Sequence, residues 1–199
     1  PAAVWPLRRG REEHIVLQGI NRDNRLFMLG NFLFALSYGL WMNLRQLHLA
    51  ALGAEPAEIG TVFALIAIAG GLLPIPAGIL ADRLGPRRII IGGWLLAALG
   101  GVIATLAPTW PVVGLGYVIF MLVIAANPAT VSFVLLNTRP QDGERTAERV
   151  LATVFASWPA AMIFAPVLGG VLADQWGIPL VHGLGAVGLF VSTGVLFLT

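Results

Sequence analysis

Apolar residues in this chain neither alternate nor recur as a narrow stripe. They run on in six nearly unbroken stretches, at residues 26–47, 57–81, 89–106, 111–136, 150–173 and 178–199, parted by short polar segments. A helix rises 1.5 Å per residue, so a hydrocarbon core about 30 Å thick takes roughly 20 residues to cross. All six stretches are of that order, the third being the shortest. Within hydrocarbon a helix satisfies every backbone N–H and C=O inside its own segment. The pattern predicts an all-α integral membrane protein with six transmembrane helices over residues 26–199, preceded by a tail at residues 1–25.

Composition supports this solvent. The chain is 57% hydrophobic and 11% charged, with a mean hydropathy of +0.84, well outside the range of water-soluble domains. No cysteine is present, which excludes disulfides and thiolate chemistry. All 12 cationic side chains are arginines. With the abundance of Ala, Gly and Pro, that usage points to a GC-rich bacterial genome and hence to a bacterial inner membrane.

The arginines also report orientation. Arg8, Arg9, Arg11, Arg22 and Arg25 precede the first stretch, Arg83, Arg87 and Arg88 lie between the second and third, and Arg139, Arg145 and Arg149 between the fourth and fifth. Every arginine except Arg45 thus falls on one side, and short arginine-rich loops stay cytoplasmic. The expected N-terminus is inside, with the loops near Glu55, Pro108 and Asp174 outside. A pI near 9.9 therefore reflects topology rather than nucleic-acid binding. Residues 1–25 lack the apolar core and small-residue cleavage site of a signal peptide. Ile15, Val16, Leu17 and Ile20 could face a membrane surface as a short interfacial helix, the alternative being a polar tail. A first residue that is proline and a last residue inside an apolar run read as a piece of a longer chain.

Between the second and third stretches stands Gly78-Ile79-Leu80-Ala81-Asp82-Arg83-Leu84-Gly85-Pro86-Arg87-Arg88. Its arginines can hold anionic headgroups and fix the helix ends at the surface. Asp82, read as starting the turn into the third helix, would meet the positive end of that helix dipole. Ninety-two positions on, after the fifth stretch, comes Gly170-Val171-Leu172-Ala173-Asp174-Gln175-Trp176-Gly177. Both copies read Gly, any residue, Leu-Ala-Asp, two residues, Gly. Glycine alone is common at helix ends, but the shared Leu-Ala-Asp is not. The chain divides into three helices plus three, and because three is odd the second triplet enters from the opposite side. That arrangement is the inverted repeat of secondary transporters.

These residues resemble the major facilitator superfamily of secondary transporters. The family's signature between its second and third helices is matched at every fixed position by Gly78, Asp82, Arg83, Gly85, Arg87 and Arg88. The resemblance covers residues 26–199 and implies the N-terminal six-helix half of a twelve-helix carrier working by alternating access. It further implies that Asp82 and its basic neighbours latch against the second half at the cytoplasmic side. Antiporters of the family carry Gly, three residues, Gly-Pro, two residues, Gly-Gly in the fifth helix. Here that run is Ala161, three residues, Ala165-Pro166, two residues, Gly169-Gly170, with alanine at both leading glycines. Efflux by antiport and tight helix packing are both compatible with it.

The resemblance places the substrate path along the first and fourth helices. Asn31, Tyr38 and Arg45 recur every seven residues in the first, close to one face. Two roles are open to Arg45 near the outer end: snorkelling to the interface beside His48, or drawing anions into a cavity. Asn127 in the fourth helix and Trp158 in the fifth lie near mid-span, fit either to contact a small-molecule substrate or to pack and hydrogen-bond between helices. No Asp or Glu lies mid-span, so a proton-coupled carrier would draw on the other half or on His182, which otherwise reads as an interfacial residue. His14, His48 and His182 are scattered along the chain, giving no metal cluster, and no cofactor is implied. Nothing resembles a nucleophile-and-base pair or a lysine-bearing phosphate loop, so an enzyme is not expected. Asn127-Pro128-Ala129 is the tripeptide of water and glycerol channels, an alternative that would need a second copy; here it occurs once, inside what reads as one continuous helix. The expected partners are the lipid bilayer, a small solute and a second six-helix half.

Overall fold

The computed structural model describes residues 20–138 and 144–199. Arg8, Arg9, Arg11 and Arg139, and Ile15, Val16 and Leu17 of the possible interfacial segment, lie outside them, as does the side chain of Arg145. Among the described residues all regular structure is helical. The first span is α1 (Arg22–Trp41) and α2 (Arg45–Ala51), joined by a 3-10 turn at Met42–Leu44. The second is α3 (Pro56–Leu72) and α4 (Pro74–Leu84), and the third is α5 (Pro86–Leu106). The fourth runs from α6 (Trp110–Met121) through a 3-10 segment, Leu122–Ala126, into α7 (Asn127–Leu136). The fifth comprises α8 (Glu144–Met162) and α9 (Ala165–Trp176), and the sixth is α10 (Ile178–Leu196). By length and apolarity five helical runs can each cross a membrane, and α3 with α4, bent by 44°, makes the sixth span.

Proline sets three of the interruptions. Pro74 opens α4, Pro128 is the second residue of α7 and Pro166 the second of α9. A proline has no N–H to give and its ring collides with the carbonyl four residues back, whereas in a helix's first turn neither matters. The fourth span is therefore not the continuous helix that its apolar run suggests. Its helix tightens at Leu122–Ala126, and Asn127 begins a new one.

The sequence repeat has a structural counterpart. Pro74 and Pro166 stand at the same 92-residue offset as the two Leu-Ala-Asp copies. Each copy then ends at a glycine of positive φ, Gly85 at φ 86° and ψ 144° and Gly177 at φ 84° and ψ 156°. That conformation is open to glycine and strained for a residue with a Cβ. Each triplet thus breaks its middle helix at a proline and turns into its third through the same backbone shape.

Helix α1 is the hub, packed against α10, α8 and α9, while α5 packs against α6 and α10. Phe27, Phe34 and Trp41 recur every seven residues and form the buried stripe of α1. Small residues bring α1 and α10 together: Gly30 lies against the Ser192 carbonyl, and Gly188 against Ser37. The perimeter is apolar, as a bilayer requires; Ile75 and Leu136 are each 75% exposed.

Candidate functional site

Asn31 and Tyr38 form a second seven-residue stripe on α1, four residues on from the buried Phe27, Phe34 and Trp41 stripe and so about 40° around the helix from it. They open onto a cavity of about 470 Å³. Phe34, Trp94, Phe120, Asn127 and Trp158 are among the other lining side chains, so the site is built by α1, α5, the broken fourth span and α8. The Tyr38 ring stacks on Phe120 at 5.0 Å and 13° and lies 6.0 Å from the Trp158 ring. Phe34 meets Trp94 at 4.7 Å. The Asn31 amide donates to Ser157 Oγ at 2.8 Å, and that hydroxyl donates to the Val154 carbonyl at 2.6 Å. Asn31 is thereby held across the α1–α8 seam with its carbonyl oxygen available. Asn127 is exposed and stands at the first turn of α7, where the chain has just left its 3-10 segment. The helix break gives the fourth span a polar group facing the cavity.

Four of the five expected cavity residues meet at one place: Asn31, Tyr38, Asn127 and Trp158. Arg45 stands outside the lining. It is half-buried, its Nε donates to the Met42 carbonyl at 2.8 Å, and its guanidinium lies over the rings of Phe63 at 5.2 Å and Tyr38 at 5.8 Å. It touches the cavity's Tyr38 from behind, as a cation on an aromatic face.

The charged turn lies at the opposite end of the bundle from Gly177. Asp82 and Arg83 are exposed in the last turn of α4, and Gly85 makes the turn into α5. The expectation that Asp82 starts the turn into the third helix is corrected: Asp82 lies within the last turn of α4, the turn itself is made at Gly85, and α5 has no side-chain cap. The three-residue spacing from Asp82 to Gly85 is used up by α4's final turn. Arg87 fixes a helix end instead. It donates to the carbonyls of Leu196 at 3.2 Å and of the C-cap Phe197 at 3.1 Å and to Thr199 Oγ1 at 3.2 Å, adding to the bonds that Thr199 makes to the Leu196 carbonyl at the end of α10. Arg83, Arg87, Arg88 and Gly85 line a basic hollow of about 630 Å³ together with Asp23.

In the fifth span, Ala161 and Ala165 are fully buried, and Ala165 with Gly169 faces α1. A Cβ on Gly169 would stand 1.7 Å from the Leu40 carbonyl oxygen, while one on Gly170 would meet nothing within 4 Å. Pro166, the second residue of α9, stands beside this contact. The run holds two backbones together.

Two features escape a reading of the sequence. Asn24 is buried and donates to the Val134 carbonyl at 3.3 Å and Thr138 Oγ1 at 3.3 Å, tying the start of the first span to the end of the fourth; Asn21 also donates to the Asn137 carbonyl. The second is that His48 and His182, expected to be scattered and interfacial, are both buried with ring centroids 4.6 Å apart. Tyr117 joins them, 3.1 Å from His48 Nδ1 and 2.8 Å from His182 Nε2. The available signal was Tyr117 itself, one of two tyrosines in the chain, placed within an apolar stretch.

Residues 27–199 match the family model of the Major Facilitator Superfamily. The chain belongs to the Major Facilitator Superfamily. It is 27% identical over 148 residues to the inner membrane transport protein YajR of Escherichia coli (strain K12), a match covering 74% of this chain and 31% of that protein. The chain thus spans about a third of that relative's length. As a superfamily member it is a multi-pass membrane protein, and its all-helical six-span architecture is that of one half of such a transporter. The Gly78–Arg88 turn and the aromatic cavity are then features of a superfamily half rather than of an isolated bundle.

Proposed function

We propose that this chain forms the N-terminal six-span half of a secondary transporter that exports an uncharged, flat aromatic solute by alternating access. The observation that carries the solute class is the cavity between the first, fourth and fifth spans. Its 470 Å³ is of the size that holds a drug-like molecule. Aromatic rings from Phe34, Tyr38, Trp94, Phe120 and Trp158 offer stacking surfaces, and the amides of Asn31 and Asn127 orient a ligand. Among the described residues no charged side chain lines it. A carboxylate or phosphate entering it would lose hydration without gaining a counter-charge, a loss that hydrocarbon surroundings make severe. A second six-span half, in the same polypeptide or as a second copy, would close the cavity, and the Gly78–Arg88 turn would latch against it at the cytoplasmic side. The Arg-rich loops support a cytoplasmic N-terminus in a bacterial inner membrane.

Support for outward antiport is the fifth-span run Ala161, Ala165, Pro166, Gly169 and Gly170, which follows the antiporter pattern except for alanine at its two leading glycines. The test is tryptophan fluorescence of the full-length protein in nanodiscs, titrated with neutral aromatic solutes and with anionic analogues of matched size. Saturable quenching by the neutral series, lost in Trp158→Phe, is the expected result. Binding only of the anionic series would sink the proposed solute class. A channel reading rests on Asn127 at the cavity. Counterflow of solute without rapid osmotic water flux in proteoliposomes separates carrier from channel.

A further inference from the structure

We propose that His48, Tyr117 and His182 form a proton-binding site, wired through Trp41 to the aromatic cavity. The three groups come from α2, α6 and α10 and are 4%, 1% and 1% exposed. Their hydrogen bonds admit one consistent arrangement when both imidazoles are neutral. The Ile178 carbonyl can only accept, so His182 Nδ1, 3.1 Å away, carries the proton. His182 Nε2 then accepts from the Tyr117 hydroxyl, whose oxygen accepts from His48 Nδ1–H. Among the described residues one ring nitrogen of the pair has no partner: His48 Nε2.

A proton arriving at His48 Nε2 makes that ring an imidazolium. If its Nδ1 proton passes to the Tyr117 oxygen while the tyrosine's own proton passes to His182 Nε2, the charge reaches α10. His48 is then neutral with its proton on Nε2, Tyr117 is a neutral hydroxyl now donating to His48 Nδ1, and His182 is the imidazolium. One proton has entered, no electron has moved, and both hydrogen bonds have reversed direction. Ionisable groups inside a membrane span are costly, and proton relays are among the roles that retain them there.

The charged surroundings are few. Arg45, one turn before His48, is the cation whose field reaches Tyr117 and His182. Helix α3 contributes Glu55 and Glu58 at its start, and α9 contributes Asp174 at its end; Glu55 and Asp174 are exposed. Tyr38 is the titratable neighbour on α1, whose Arg22, Asp23 and Arg25 lie at its far end, as do Arg87 and Arg88 on α5. An added proton would therefore feel Arg45 above all, and that repulsion is relieved if α2 moves relative to α10.

The route to the cavity is one ring long. Trp41 stacks on Tyr117 at 5.6 Å and 10°, lies 5.2 Å from the His182 ring, and meets Tyr38 edge-on at 5.3 Å. Tyr38 lines the cavity. Proton binding stands on this geometry alone, whereas its coupling to solute movement rests on the transport reading.

The test has two arms, both on the full-length protein. In the first, ¹⁵N-histidine spectra are recorded in lipid while pH is lowered from roughly 8 to roughly 4, with signals assigned by His48→Gln and His182→Gln. The expected result is that His48 changes tautomer as His182 becomes an imidazolium, and that Tyr117→Phe, which keeps the ring stack on Trp41, makes them titrate independently. Unlinked titration in the unaltered protein, or no effect of Tyr117→Phe, overturns the site. A melting curve confirms that each variant is folded, and Tyr117→Phe alone suffices if a histidine variant is not. In the second arm, solute flux in proteoliposomes is compared with and without a pH gradient. Loss of the gradient's effect in His182→Gln, with solute counterflow retained, is expected. A gradient effect of unchanged size in that variant overturns the coupling. Linked histidine titration in a protein with no counterflow at all would keep the proton site and defeat the transport reading instead.

Discussion

The Cα of Gly169 on α9 lies directly beneath the backbone of Leu40 on α1, so close that a single added carbon would stand 1.7 Å from the Leu40 carbonyl oxygen. Backbone cannot step aside as a side chain can. Gly169→Ala must push α1 and α9 apart, and overpacking of this kind costs about 1–3 kcal/mol. Gly170, one residue on, has open space around its Cα. The expected outcome is a clearly lower melting temperature for Gly169→Ala and an unchanged one for Gly170→Ala. Equal behaviour of the two variants would show that α1 and α9 do not approach this closely.

The end of α10 should depend on a side chain from another span. Arg87 donates to the carbonyls of Leu196 and Phe197, and a cation at a helix C-terminus also meets a favourable dipole. Arg87→Gln is expected to speed amide hydrogen exchange in the last turn of α10, with little change at Ile178. Arg87→Lys, which keeps the charge but loses the planar fork, should lie between. Uniform exchange in all three proteins would remove this role.

What the sequence could and could not reveal divides along physical lines. Spans were legible because hydrocarbon punishes every exposed polar group, so residues 26–47 and the rest must be apolar in long runs. The turn at Gly85 and its echo at Gly177 were legible because positive φ demands glycine and the spacing was repeated. Asn31, Tyr38, Asn127 and Trp158 come together at one cavity, since polar or amphipathic groups amid apolar runs need somewhere to face. Arg45 followed the same seven-residue spacing but falls beyond the 3-10 turn at Met42–Leu44, which rotates it away from the stripe. The helix breaks themselves were only partly visible, because proline is tolerated inside α8 at Pro159 yet ends helices at Pro74 and Pro128. The His48–Tyr117–His182 cluster was invisible because it joins three spans, and sequence separation carries no record of which helices touch.

Asp82 is exposed at the arginine-rich end of α4, open to a group from outside these six spans. If it latches a second half, Asp82→Asn removes the charge while keeping size, and the balance should shift toward the inward-open form. The chain has no cysteine, so single cysteines can be introduced at the cavity beside Asn127. Faster labelling from the cytoplasmic side in the Asp82→Asn background is expected. Labelling rates that match the parent protein would leave Asp82 as a topology signal alone.

Asn31 and Arg45 share a spacing but should differ in effect on the ligand. The Asn31 amide is held by Ser157 and opens on the cavity, so Asn31→Leu removes a polar contact and leaves the Ser157 hydroxyl without its donor. A net hydrogen bond is worth about 0.5–1.5 kcal/mol, which corresponds to a two- to tenfold weaker affinity for a neutral aromatic solute. Arg45 stands behind Tyr38 with its charge over two rings. Arg45→Gln should leave that affinity within twofold, because the guanidinium makes no contact with the cavity and an uncharged ligand feels its field weakly. Titration of both variants by tryptophan quenching decides the matter. A larger loss from Arg45→Gln than from Asn31→Leu would mean that the ligand carries negative charge and that Arg45, not the amide, directs it.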